Sequence, residues 1–348
     1  MEQRRKMLWR VLPIVWMLLG LTAQAETPAA VRTAIAKSLP LLQEGSRTFR
    51  ERSEGQCISC HHQGLILPTV ALARARGFPI AEEVERAEIG RVYGFYARRR
   101  GLYERALVDP NARREAERYG NYTVHAGLWF WGLAAEKVPP DEATDTAVRL
   151  LADDQLKDGH WDFEDAARAP MQAGPIPTTA LAIFVLRHYA PKDYAKRAPR
   201  TRDWLVRQPQ RTTDDKAFRL LGLHWTETDA AVQRHAVNDL IQDQRADGGW
   251  AQQANMPTDA YATGLALYAL NQAGGVAVKD RAYGRGVEYL LKTQRADGSW
   301  FVKTHAIPSN PYFESGFPHG KSQFISYAAS CWATMALTLT VERTGASP

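Results

Sequence analysis

The residues best suited to chemistry gather in Cys57-Ile58-Ser59-Cys60-His61, two thiols and an imidazole within one short turn. A C-x-x-C-H run attaches haem c: the thiols add to two vinyl groups and the imidazole ligates the iron. The chain has 3 cysteines. The third, Cys331, lies in the apolar run Ala328-Ala329-Ser330-Cys331-Trp332-Ala333, where a small core thiol is expected. Two other readings of the pair stay open: a Cys57–Cys60 redox disulfide, or a zinc site using His61 or His62. Zinc lacks a second cysteine pair here. A sixth iron ligand would come from His125, His319 or Met256, residues that loop, cavity or packing roles explain equally well. His62, beside the proximal ligand, cannot easily reach the opposite face of the iron.

A second candidate is Thr212-Thr213-Asp214-Asp215-Lys216-Ala217. Two close carboxylates can retain one proton, because the second negative charge raises the pKa of the first. Acidic residues at the positive end of a helix explain both Asp214 and Asp215 without any catalysis, and Lys216 would favour the ionised form. Asp259, next to Thr258, has the same two readings: a first-turn acid, or an acid facing a cavity.

The N-terminus bears on where such chemistry takes place. Arg4, Arg5, Lys6 and Arg10 precede an apolar stretch from Val11 to Leu21, then Thr22-Ala23-Gln24-Ala25. This is a signal-peptide pattern with cleavage expected after Ala25, so residues 1–25 are a leader and 26–348 the folded domain. The apolar stretch falls short of the ~20 residues that span a bilayer. The expected location is periplasmic or secreted, with no transmembrane span in the mature protein. Removing the leader's four basic residues and Glu2 lowers the net charge from +6 to +3. No nucleic-acid partner is expected from so balanced a chain.

The elements that position these residues are visible in an internal repeat. Gln155-Leu156-Lys157-Asp158-Gly159-His160-Trp161 recurs as Gln244-Arg245-Ala246-Asp247-Gly248-Gly249-Trp250 and as Gln294-Arg295-Ala296-Asp297-Gly298-Ser299-Trp300. Each copy follows a segment with apolar residues at helical spacing. Asp-Gly makes a tight turn, Trp covers the helix just left, and Gln can bond free carbonyls at its end. A second signature, Pro-Thr-x-Ala, recurs at Pro68, Pro177 and Pro257, where Thr would cap dense apolar helices. The fold expected is all-α: an α/α toroid of approximately six helical hairpins, its inner helices starting near 68, 124, 177, 215, 257 and 324. The unit ending Trp204-Leu205-Val206-Arg207-Gln208 lacks the Asp-Gly-x-Trp. The C-x-x-C-H motif sits at about 50–66, where the first repeat should have its loop.

The three Gln-x-x-Asp-Gly-x-Trp loops resemble the QW motif of squalene-hopene and oxidosqualene cyclases, as does the segment Phe317-Pro318-His319-Gly320-Lys321-Ser322-Gln323-Phe324. The resemblance runs from about 29 to 341 and is strongest after Asp145. It implies the toroid fold of the squalene cyclase and prenyltransferase type, with the loops as structural staples, and implies chemistry far less. In that family the middle Asp of an Asp-x-Asp-Asp-Thr-Ala segment protonates an alkene, and Asp214 matches it. Thr212 and Lys216 depart from the pattern. The cyclases also carry no haem and place their cavity between two helical domains. Protein prenyltransferases use a zinc site of Asp, Cys and His, to which Cys331 has no matching partners. The leading expectation is thus an exported haem c protein on a cyclase-like toroid, with a redox partner or a lipophilic or polymeric ligand in the ring. An isoprenoid cyclase or carbohydrate-active enzyme on the same fold, and a haem-free binding module, are the rivals.

Overall fold

A computed structural model describes residues 12–53, 58–59, 61–118, 122–162, 170–171, 174–306 and 313–343, with only the backbone described for 12–27, 118 and 122–125. Six outer helices are α1 (Leu12–Arg52), α3 (Glu82–Ala106), α6 (Glu142–Asp153), α8 (Pro191–Arg207), α10 (Ala230–Gln242) and α12 (Arg281–Thr293). Six inner helices alternate with them: α2 (Gln63–Arg74), α5 (Tyr122–Ala135), α7 (Pro175–Tyr189), α9 (Thr213–Trp225), α11 (Ala260–Gln272) and α13 (Gln323–Thr338). A short α4 (Pro110–Arg118) packs on α3. Among the described residues, strand is confined to a two-residue pair, β1 (Trp250–Ala251) and β2 (Thr258–Asp259), with Trp250 opposite Asp259.

Apolar patterning separates the two rings. Outer α12 buries Tyr283, Gly286, Val287 and Leu290, a single stripe at i, i+3, i+4 and i+7. Inner α13 buries every residue from Ile325 to Thr338, so it must be covered on all sides. The inner helices pack in the order α2, α5, α7, α9, α11, α13 and back to α2, which closes the ring. Small residues permit the tightest approach: a Cβ on Gly264 would lie 2.6 Å from the backbone nitrogen of Ala333.

Each Gln-x-x-Asp-Gly-x-Trp loop closes a connection in the same way. The indole N–H groups of Trp161, Trp250 and Trp300 donate to the carbonyls of Leu151, Leu240 and Leu290 at 2.6, 2.7 and 2.8 Å, capping the outer helix just left. All three rings are fully buried. Their backbone N–H groups donate to Thr179, Thr263 and Ser330 on the following inner helix. Gln155, Gln244 and Gln294 do not cap the helix they end, as the sequence suggested. Each donates to its own loop's Gly carbonyl and to the next outer helix, at Thr201, Ala282 and Ala34 respectively. The last of these runs from residue 294 back to α1 and fastens the ring. Gly298 (φ +91°) is required there, since a Cβ would meet the Lys37 carbonyl oxygen at 2.6 Å.

The Pro-Thr-x-Ala signature is a helix feature but not a helix start. Pro68 and Pro177 lie inside α2 and α7, and the Thr69 and Thr178 hydroxyls donate back to the carbonyls of Leu65 and Gly174. In the third copy Asp259, not Thr258, caps α11. Pro177 falls among the first four residues of α7, whose N–H groups have no intrahelical acceptor, whereas Pro68 is the sixth residue of α2 and lies past that turn.

Candidate functional site

Every outer-to-inner connection reaches the same face of the toroid, because all six inner helices start there. Three connections carry a staple. The first (α1 to α2), the second (α3 to α5) and the fourth (α8 to α9) have no such motif, and the ring order places α2 and α9 opposite one another. The C-x-x-C-H motif lies in the first connection, and the Asp214-Asp215 pair opens α9 just after the fourth.

At the first connection Cys57 and Cys60 lie outside the described residues, while Ile58, Ser59, His61 and His62 lie within them. The Ser59 hydroxyl accepts the His61 N–H at 3.1 Å, and the Ser59 N–H donates to Gln63 Oε1 at 2.9 Å, which fixes the turn into α2. The two histidines then part. His62 is fully buried, its ring stacked 4.0 Å from Tyr327 and 4.6 Å from Phe49. Both of its ring nitrogens are buried without a hydrogen-bond partner, and burial drives its pKa well below the usual histidine value. His61 remains half-buried at the face, 6.0 Å from the Phe324 ring. Beneath the turn Glu88 accepts from Gln63 Nε2 and Arg50 Nε, both at 3.0 Å. Burial still raises its pKa above the ordinary carboxylate value, against the pull of those bonds.

At the fourth connection the two adjacent aspartates have different jobs. Thr212 and Asp215 form a capping box: Thr212 Oγ1 accepts the Asp215 N–H at 3.0 Å, and Asp215 Oδ2 accepts the Thr212 N–H at 3.1 Å. Asp214 takes no part in the cap. It is 5% exposed and accepts the Tyr261 hydroxyl at 2.8 Å. Burial pushes its pKa up to about 7; the Tyr261 bond opposes this and the charge of Asp215 adds to it. Lys216, which the sequence set against a protonated Asp214, turns away to Asp243 at 2.6 Å. Asp214 heads a cavity of about 20 Å³ lined by Leu128, Leu181, Phe218, Tyr261 and Trp332 among others. That is room for a water molecule or two.

Asp259 caps α11 through the Ala262 N–H at 2.9 Å and accepts from Gln252 Nε2 at 2.8 Å. Gln252 Oε1 in turn lies 2.6 Å from Nε2 of the exposed His305. Burial of the Asp259 carboxyl lifts its pKa to about 6. Among the suggested sixth ligands, His319 lies 2.8 Å from the Ser299 hydroxyl through Nε2 and belongs to the third staple. Met256 is half-buried in the loop between β1 and β2. The His125 side chain lies outside the described residues.

Sequence reasoning missed Tyr261, Gln252 and His305. Tyr261 had a readable signal. Thr212 and Asp259 are the N-caps of α9 and α11, so Asp214 and Tyr261 stand at the same position of neighbouring inner helices. Adjacent repeats in register bring such positions together.

Comparison with known proteins agrees with this architecture. The family profile for the squalene-hopene cyclase C-terminal domain matches residues 216–340. The squalene–hopene cyclase of Bradyrhizobium diazoefficiens is 34% identical over 114 residues, covering 28% of this chain and 16% of that enzyme. The chain therefore matches about a sixth of that relative's length. Among solved structures, a variant of the type II terpene cyclase MstE from Scytonema, in complex with merosterolic acid A as product, has a TM-score of 0.58 at 14% identity, covering 91% of this chain and 99% of that one. A glycosidase variant has a TM-score of 0.57 at 13% identity, covering 88% and 98%. At such identities the likeness is one of fold. The protein is an α/α toroid of the terpene cyclase type, with squalene-cyclase repeats.

Proposed function

We propose that this protein is exported and carries haem c on the face of a terpene-cyclase-type toroid, in a redox or ligand-binding role. The carrying observation is the C-x-x-C-H motif at an unstapled connection, entering an inner helix, with His62 committed to the core and His61 kept at the face. The donor set fits: Cys57 and Cys60 would hold the porphyrin by thioethers and His61 would ligate the iron. When bound, the haem supplies one-electron chemistry. The chain's own part is to fix the turn through Ser59 and to brace it on the Glu88, Gln63 and Arg50 network. Export accords with the leader pattern. The buried side chains described on α1 begin at Val31, so cleavage after Ala25 leaves those ring contacts intact. No helix among the described residues is long and apolar enough to cross a membrane. The test is an intact mass of protein exported from a host competent in haem attachment. A haem adduct lost in the Cys57→Ala/Cys60→Ala variant supports the reading. An apo mass with a Cys57–Cys60 disulfide or bound zinc overturns it.

A second reading, acid chemistry at Asp214, is favoured by that residue's raised pKa and aromatic-lined setting. Toroids of this fold include a terpene cyclase in complex with geranylgeranyl dihydroxybenzoate as substrate and a glycosidase in complex with glucose. The described cavity beside Asp214, about 20 Å³, is smaller than either molecule. Loss of turnover on an isoprenoid in Asp214→Asn, with folding unchanged, would establish this second role.

A further inference from the structure

The Asp214–Tyr261 pair differs from the other tyrosine contacts of the core. Tyr283 and Tyr327 are buried as deeply, but their hydroxyls donate to the backbone carbonyls of Ala336 and Leu42 at 2.8 and 2.9 Å. A carbonyl of that kind cannot take a proton away. Tyr93 does donate to a carboxylate, Asp141, at 2.6 Å, but it is half-exposed on an outer helix. Tyr261 combines full enclosure with a carboxylate acceptor already in place at 2.8 Å. A phenol that loses an electron becomes strongly acidic, so a buried tyrosine can be oxidised reversibly only where a base stands ready for its proton.

Other oxidisable side chains lie near the pair. Trp332 and Tyr261 line the same cavity, and the Trp332 ring lies 5.4 Å from Tyr268 and 5.5 Å from Trp131. The helix bearing Trp332 also bears Tyr327, whose ring stacks 4.0 Å from His62 beside the first connection. α13 thus carries two oxidisable side chains five residues apart, Tyr327 beside His62 and Trp332 at the acid pocket.

We infer that Tyr261 is a redox-active tyrosine. A metal-centred one-electron oxidant takes an electron from its ring, and its phenolic proton passes to the Asp214 carboxylate along the existing hydrogen bond. The products are a neutral tyrosyl radical, a protonated Asp214 and the oxidant reduced by one electron; return of the electron returns the proton. The competence of the pair does not rest on the haem reading. Asp214 accepts a proton only as carboxylate, which it becomes above about pH 7. Burial holds the Tyr261 phenol well above its ordinary pKa, so the proton leaves with the electron and not before it.

The experiment uses photogenerated tris(bipyridine)ruthenium(III) as oxidant and electron paramagnetic resonance as readout. Wild-type protein should give a persistent tyrosyl signal that Tyr261→Phe lacks and Tyr283→Phe retains. The yield should fall roughly tenfold between pH 8 and pH 6 as the carboxylate is protonated, and Asp214→Asn should be low at both. The same signal in Cys57→Ala/Cys60→Ala protein separates this inference from the fate of the haem reading. Absence of a persistent signal in wild type, or its survival in folded Tyr261→Phe, overturns the inference. Should Tyr261→Phe not fold, an unchanged yield and pH profile in the nearly isosteric Asp214→Asn overturns it as well.

Discussion

The stapled and unstapled connections of this ring are built from the same repeat and put to opposite uses. In the stapled ones the Trp ring and its indole N–H are consumed by the outer helix just left, and the Gln amide by its own loop and the next outer helix. In the first, second and fourth connections the staple motif is missing from the sequence; the first carries C-x-x-C-H instead, and the fourth leads directly into Asp214 at the start of α9. A repeat whose closure is redundant around the circle can give up some closures to chemistry while the others hold the fold. That division of labour is open to direct attack.

The largest expected effect is the loss of haem retention in Cys57→Ala/Cys60→Ala, with a melting temperature close to that of unliganded wild type, because the ring does not depend on this connection. A mass measurement after acid and detergent, paired with calorimetry, checks both halves. A collapse in stability would mean that the first connection is structural after all.

On the stapled side, Trp161→Ala, Trp250→Ala and Trp300→Ala should each cost about 3–5 kcal/mol, the usual range for deleting a buried large aromatic. Denaturant unfolding of the three variants tests this, and wild-type-like midpoints would end the staple reading.

Asp214→Asn should act in the other direction. The folded-state pKa of Asp214 is raised from 3.8 to about 7, so its contribution to stability is complete below pH 3.8 and is lost as pH rises toward 7. Above pH 7 the wild type bears the whole penalty, on the order of 3–4 kcal/mol at 1.36 kcal/mol per unit. The Asn variant should therefore melt higher than wild type at pH 8 and converge with it near pH 4. Equal melting at pH 8 would remove the evidence for a protonated buried acid. A residue that weakens the fold at neutral pH is more readily understood as functional than as structural.

The smallest effect belongs to Gln294→Ala, which should cost about 1–3 kcal/mol. It should also speed amide exchange in α1 around Ala34, whose carbonyl loses its bond from Gln294. Uniform exchange across all outer helices would argue against a local clasp.

The same contrast governs what the sequence revealed. The staples were legible because each is local: Gln, Asp-Gly and Trp fall within seven residues, and their period set six hairpins with the inner and outer helices correctly assigned. The acid site was only half legible. Asp214 and Asp215 are neighbours in sequence and look interchangeable, yet one faces the N-cap and the other the cavity, a difference of helical rotation. The bond that marks Asp214 comes from Tyr261, 47 residues away. Lys216 misled for the same reason, since its partner Asp243 belongs to the next outer helix. Pro68 and Pro177 looked like starts because proline often opens a helix; Pro177 does lie in the first turn of α7, but α2 had completed a turn before Pro68.

The bond from Gln294 to Ala34 spans 260 residues and also sets an order of assembly. Earlier hairpins can form as soon as their own residues are available, but the ring has no closing contact of this kind until residues 294–298 reach α1. Until then the chain is an open arc with two unsatisfied edges, able to be drawn lengthwise through a narrow channel or to pair with another arc. Closure joins the two ends of the sequence through Gln294 to Ala34, Tyr327 to Leu42 and the Ser38–Thr334 hydroxyl pair, and folding should show a slow, concentration-independent phase that reports on it.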